Sequence, residues 1–466
     1  MNYAAHYGQE FVTPLGLSLT LLMCFLLLVL PRRWALVPLL VLMSYMTMGE
    51  RFLILTLDFN MLRLLLLAGA VRVLVRMESR GFVATRMDRM ILWFALATTV
   101  AYTLLWASPA ALVNKIGRAY DILGVYFLCR FLIREPQDII RLLRVFAFLI
   151  VPLAISMVVE KSTRYNIFGV FGAVPFYTLI RDGILRCQGP FRHPILAGSF
   201  GAALAPMMLA LLLSKGKGRI AGLIGFASAT AITLTSGSSG PILSWMAGIA
   251  GLCFWVVRKY MLQLRWAIVA GLVGLEIVMT DHVWFIVTRI KVFSGSTAYH
   301  RARLIDQAIR RLPEWFLVGT QSTSSWGFWL FDVTNQYIRI GVDGGLLCVV
   351  LFVALIVIGF SAVGSSVKGL EGLPSPPVSP MVVWGLGASL WAHVVSFMGV
   401  AYFDQNIVNW YFLLAMFAFL EERWGLTKLA KKGVAKAKVW VAKPPVEASG
   451  LKNGKQSPLA GPTRVR

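Results

Sequence analysis

The sequence predicts an all-α, polytopic integral membrane protein with about twelve or thirteen transmembrane helices and outer loops that carry short helices. Three observations predict it. Of the 466 residues, 58% are hydrophobic and only 14% charged, far from the balance of a soluble domain. Apolar runs of about 20 residues recur along the chain, the length a helix needs to cross ~30 Å of hydrocarbon. Inside a bilayer every backbone group must be satisfied internally, and runs this long do so as helices. Residues 1–420 are expected to form one membrane domain, which leaves no room for a separate soluble one.

Taken in order, the first run, 11–30, lacks a basic leader and a small-residue cleavage site, so it is expected to be a span and not a signal peptide. Further spans are expected at 35–49, 53–74, 90–107, 117–133, 140–159, 194–214, 218–235, 240–257, 265–284, 337–361, 380–401 and 405–420. The short second and fifth are the least defined. The tail, 421–466, carries eleven Lys or Arg against three acids. Its Pro, Gly and Lys content predicts disorder, and its charge predicts a cytoplasmic location. Counting back from it places Pro31-Arg32-Arg33, Arg72–Arg89, Arg134–Arg144, Lys215–Arg219 and Arg258–Arg265 inside. All five are basic, although only the tail set the direction.

The net charge of +24 is compatible with nucleic acid. Spread over short loops, it instead favours topology signals and anionic membrane lipid. Lipid is therefore an expected partner and nucleic acid is not. Four of the five cysteines, Cys24, Cys129, Cys253 and Cys348, fall within apolar runs as small hydrophobes. Cys187 stands alone in a loop, and no spacing fits a disulfide framework or a zinc site. No metal or other cofactor is expected.

Two outer loops, 160–193 and 285–336, break the charge rule. In "STAYHRARLIDQAIRR", a helix over 300–312 with Ser296 and Thr297 as caps puts Arg301 on one face with Leu304, Ile305, Ala308 and Leu312. Arg303 and Arg310 fall opposite, with Gln307, on a solvated face. Arg301 then points into protein or membrane, where a guanidinium needs a partner. The partner is an acid such as Asp332 or Glu314, or an anion such as phosphate held by both arms of the fork. In "LIRDGILRCQGPFRHPILAG", Arg186 and Arg192 sit above the outer surface at the start of a span. They either grip a diphosphate or balance lipid headgroups.

"DVTNQYIRIGVDGGLL" places Asp332, Asn335 and Gln336 at the outer interface, as caps or as groups that orient a sugar hydroxyl. Its glycines allow close packing or a bent helix start. "LTSGSSGPILSW" predicts a tight hairpin with Ser238 and Ser239 as turn residues and no base beside them. Arg63, near Asp58 and Asn60, and His393 are ionisable groups within spans, and so are functional candidates.

Arg301 with Ile305, then "LVGT", then Asn335 with Gly345 ten residues on, "RCQGPF" before a span and "SSGP" between two spans together resemble the O-antigen ligase and polymerase superfamily over about 50–420. "GSTAYHRARLID" and "DVTNQYIRIGVDGG" resemble its exopolysaccharide-associated branch. The resemblance implies a metal-independent, inverting membrane glycosyltransferase of the GT-C type in a bacterial inner membrane. It implies an undecaprenyl-diphosphate-linked glycan as substrate, and chain-length regulator or export proteins as partners. It also implies that Arg186 and Arg301 hold the diphosphate, beside Arg192, which the loop reading adds. Asn335 assists, and Thr334 occupies the position of the family's His, which leaves His300 or Asp332 for proton transfer. Two other classes stay open: a transporter or flippase of lipid-linked or anionic solutes, which predicts repeats and broken helices, and a non-catalytic subunit of an export complex.

Overall fold

Side-chain caps and prolines set where the helices begin. Thr13, Asn60, Thr85 and Ser108 each accept a hydrogen bond from a first-turn amide, and Pro14, Pro109, Pro136, Pro194 and Pro380 open helices that need no donor there. The computed structural model describes residues 12–54, 57–216, 218–289 and 298–425. In order these form α1 (Pro14–Val29), α2 (Val37–Tyr45), the hairpin β1 (Arg51–Ile54) and β2 (Leu57–Asn60), α3 (Met61–Val75), α4 (Arg86–Trp106), α5 (Pro109–Leu132) and α6 (Pro136–Thr163). There follow the hairpin β3 (Leu179–Arg181) and β4 (Ile184–Arg186), α7 (Pro194–Leu213), α8 (Arg219–Thr235), α9 (Ser239–Cys253), α10 (Met261–Val278), α11 (Ala298–Arg310), α12 (Leu312–Trp315), α13 (Gln336–Glu371), α14 (Pro380–Phe397) and α15 (Gln405–Leu420). The caps expected at Ser296 and Thr297, and the tail from 426, lie outside the described residues.

The protein is an all-α, multi-pass membrane protein. Six helical stretches are long and apolar enough to cross a bilayer: α4, α6, α7, α10 with its preceding turn, α13 and α14. Three shorter apolar helices, α1, α8 and α9, accompany them. The fifth expected span is a full 24-residue helix. The second is not: α2 has nine residues, about 14 Å of rise. Beyond it the chain is non-helical through Met46–Glu50, with a turn at Met48–Gly49 and most of it buried, until Glu50 meets Thr13 at the start of α1 (2.7 Å). Non-helical backbone at membrane depth is tolerated where protein encloses it. Here Gln405 donates to the Met46 carbonyl at 2.9 Å.

α7 and α15 form the centre and are buried along nearly their whole length. α10, by contrast, has no buried residue. The five basic loops and the end of α15 gather at one end of the bundle and are tied there by ion pairs. Arg32 bridges Glu135 and Asp138 (both 2.8 Å), and Arg72 forks onto Glu78. Arg86 meets Glu421, and Arg130 meets Asp88 and Glu422. Loop 160–193, the 236–240 turn, α11–α12 and the 398–404 loop gather at the other end.

Candidate functional site

At that second end Glu160 organises the first loop. Its carboxylate accepts from the Gln188 and Gly189 amides (3.1 and 2.9 Å) and from the Thr178 hydroxyl (3.2 Å). β4 is thereby set beside the end of α8, where the Cys187 amide donates to the Thr235 carbonyl (3.2 Å). Arg186 then lies over the 236–240 turn and donates from Nη2 to the Ser238 hydroxyl (2.7 Å). Gly237 makes this turn close: its φ is 56°, and a Cβ there would sit 2.8 Å from the Leu185 carbonyl oxygen.

The second loop builds a small apolar core of its own. Leu304 and Ala308 of α11 pack with Trp315, Trp326, Leu330, Val333, Ile338 and Val342. The Trp315 indole donates to the Ala308 carbonyl (2.8 Å). This core turns Arg301 inward. Arg303 is half-buried, with its guanidinium against Gly327, so it is less solvated than its helical phase implies. Arg310 is exposed and pairs with Asp306 (2.9 Å).

The Arg301 guanidinium lies between two glycines. A Cβ on Gly399 would be 3.4 Å from its Cζ, and one on Gly240 3.6 Å from its Nη2. Arg186 and Arg301 thus meet at the same turn although 115 residues separate them in sequence. Both are nine-tenths buried, both have a buried Nε–H without an acceptor, and neither has a carboxylate partner among the described residues. The expected acids are elsewhere. Glu314 pairs with Arg311 (2.8 Å) and accepts from the Trp326 indole (3.1 Å), and the Asp332 side chain is exposed. Burial, then the charges of Arg181 and Arg301, push Arg186 below the usual arginine value, with Asp182 opposing. Burial and Arg181 do the same to Arg301. The result is a buried positive charge with no carboxylate partner among the described residues, at this end of the bundle.

Other expected residues have structural work. Asn335 caps α13, its Oδ1 accepting from the Tyr337 and Ile338 amides (3.0 and 3.2 Å) while its Nδ2 donates to the Met398 carbonyl (3.3 Å). Arg192 needs correction as an anion ligand: its fork is filled by Asp404. His300 Nε2 lies 3.3 Å from the Asp332 backbone carbonyl, which brings these two groups to the edge of the site. Arg63 forks onto Asp121 (2.8 and 2.9 Å), and Asn60 caps its helix. His393 is hydrogen-bonded to the Tyr402 hydroxyl (2.9 Å).

Two features escaped the sequence reading. The 398–404 loop, of which 398–401 was expected inside a span and 402–404 as a bare connection, touches Asn335 through Met398, Arg301 through Gly399, Gln336 through Tyr402 (2.6 Å) and Arg192 through Asp404. The polar cluster "FDQN" at the start of an apolar run was its only signal. His193 is the second. It caps α7 by accepting the Ile195 amide at Nδ1 (3.1 Å), so its neutral tautomer presents an Nε2–H donor. Burial and the charges of Arg186 and Arg181 hold its pKa down, to about 4.

No family model matches this chain, and no curated protein matches it.

Proposed function

We propose that this protein is a glycosyltransferase of polysaccharide assembly, acting as polymerase or ligase on the outer face of a bacterial inner membrane. Its donor is an undecaprenyl-diphosphate-linked saccharide. The observation that carries the reading is the pair of buried, carboxylate-free guanidinium groups at one turn. Two such cations with open Nε–H donors are costly unless an anion completes them, and a diphosphate supplies oxygens for both forks. The order of motifs, which resembles the O-antigen ligase superfamily, supplies the reaction class.

In this reading an acceptor hydroxyl attacks the anomeric carbon and the bond from that carbon to the diphosphate oxygen breaks. The electron pair leaves on the diphosphate, with inversion. Arg186 and Arg301 stabilise the departing charge, which grows in the transition state. His193 Nε2–H adds a neutral donor beside them. The acceptor's proton passes to His300 or Asp332. Asn335 and Arg192 act as positioning residues, holding the 398–404 loop against Arg301.

The test uses purified protein in proteoliposomes with the lipid-linked saccharide and follows release of undecaprenyl diphosphate together with the extended or ligated glycan. Release that disappears in Arg186→Ala and Arg301→Ala is expected. A folded wild-type protein that binds the donor and releases nothing would overturn the reading.

A second reading is favoured by the break in α13 at Gly345 and by the non-helical stretch after α2, since broken helices mark transporters. It predicts movement of the lipid-linked saccharide across the vesicle membrane with no bond cleaved, and the same assay separates the two.

A further inference from the structure

The end of the bundle away from the arginine pair contains a cavity of about 630 Å³ between α6, the turn joining α7 to α8, and the loop that precedes α14. Its long wall is a single stripe of α6: Gln137, Ile140, Arg141, Arg144, Val145 and Phe148. These positions recur every three or four residues and so lie on one face. The stripe changes character along its length. Its first half is polar and basic apart from Ile140, and its second half is apolar and ends at Phe148, which is 54% exposed. From Gln137 to Phe148 the helix rises about 16 Å, the depth over which a bilayer leaflet passes from headgroup to acyl chain.

The charges in the cavity are not internally balanced. Arg32, Arg72, Arg86, Arg130 and Arg258 at this end each have a carboxylate partner. Arg141 is held by Asp138 and lies 5.8 Å above the Trp34 ring. Arg144 differs. It packs beside Gly218, and its Nε–H is buried without an acceptor. Lys215, on the facing turn, is exposed and has no carboxylate partner among the described residues. Two cations thus flank one mouth, and none of the described lining residues is an acid.

We infer that this cavity is a binding site for an anionic phospholipid of the adjoining leaflet. The headgroup phosphate lies between Arg144 and Lys215, and an acyl chain lies along Val145, Phe148 and Leu211. A half-buried guanidinium whose Nε–H has no acceptor among the described residues calls for a phosphate oxygen, and basic pockets between helices at a membrane face bind acidic headgroups. Free phosphate satisfies the cations but leaves the apolar half of the cavity unused. The site is separate from the arginine pair, so it stands whatever reaction that pair performs.

The experiment is native mass spectrometry of the full chain in neutral detergent, titrated with phosphatidylglycerol, phosphatidylcholine or inorganic phosphate, with thermal melting in parallel. Phosphatidylglycerol is expected to give a retained adduct and a raised Tm, and phosphatidylcholine neither. Arg144→Gln and Lys215→Gln are each expected to weaken the adduct about fivefold, whereas Arg33→Gln, an exposed basic residue at the same end, leaves it unchanged. Lys215 is exposed, so its variant keeps the test open if Arg144→Gln fails to fold. Equal retention of the two lipids, equal weakening by all three variants, or displacement by millimolar phosphate would each overturn the inference, the last by showing a free-anion site.

Discussion

Arg301 and Arg303 carry the same charge two residues apart, yet the packing of α11 separates them. Leu304 and Ala308 are buried against Trp315 and Trp326, which turns Arg301 onto Gly240 and Gly399 and leaves Arg303 at Gly327. Lys at 301 keeps the charge and loses the fork. Arg301→Lys is therefore expected to lower glycan output by ~10²–10³, and Arg303→Lys to lower it less than about twofold, within the small effects usual for residues outside a site. Equal losses at matched membrane expression would remove the reason for placing the site here. His193 gives a prediction in pH. Its pKa falls from 6.5 to about 4 on folding, so between those values the unfolded chain binds the extra proton. Stability from this group is complete above pH 6.5 and is lost as pH falls toward 4, by no more than about 3 kcal/mol. His193→Asn keeps the cap and removes the titration, so its melting temperature should fall less than wild type across pH 6.5–4. Parallel curves would show that His193 is not shielded from protons.

At the scale of elements, α13 is two helices joined at Gly345, where φ is 78° and ψ 179°. The break frees backbone groups, and the segment after α12 takes them up: the Leu346 amide donates to the Phe316 carbonyl (2.8 Å), and the Thr320 amide to the Val342 carbonyl (2.9 Å). "LVGT" is thus a backbone clasp for a broken helix. A Cβ at Gly345 would collide with the Leu317 carbonyl oxygen. Gly345→Ala is expected to cost about 2 kcal/mol or more, from the left-handed φ and the collision together. It should also release α11–α12, seen as a lower Tm and faster proteolysis within 311–333. Unchanged proteolysis would mean that the outer core holds without the clasp. α10 shows the opposite situation: it is apolar between Arg265 and Glu276 and buried nowhere, as a helix facing hydrocarbon would be.

Over the whole molecule, the end away from the arginine pair is closed by charge. Glu421 and Glu422, just past α15, reach back to Arg86 and Arg130, and Glu421 also accepts the Met87 amide (3.2 Å). Arg130 and Asp88 are almost fully buried, so losing one partner of that group is expensive. Truncation after Leu420 is expected to cost on the order of 3 kcal/mol, whereas deletion of 440–466 should leave Tm and glycan output near wild type. Similar melting of the two truncations would show that these pairs contribute nothing. Loss of output with an intact Tm in the shorter deletion would assign the basic tail a role beyond orientation.

The sequence by itself determined the class of protein, because burying apolar runs of this length in a bilayer leaves the backbone almost no choice but helix. Local periodicity also set the inward phase of Arg301, and capping chemistry marked Asn335 as a helix start. The nine-residue α2 was not legible, since an apolar run looks the same whether it continues as helix or as enclosed non-helical chain. Nor was the fate of individual charges. Nothing local distinguishes Arg192, which is closed by Asp404 more than 200 residues away, from Arg186, which has no carboxylate partner among the described residues. An ion pair depends on which loops meet, and tertiary packing alone brought the 398–404 loop between Asn335, Arg301 and Arg192.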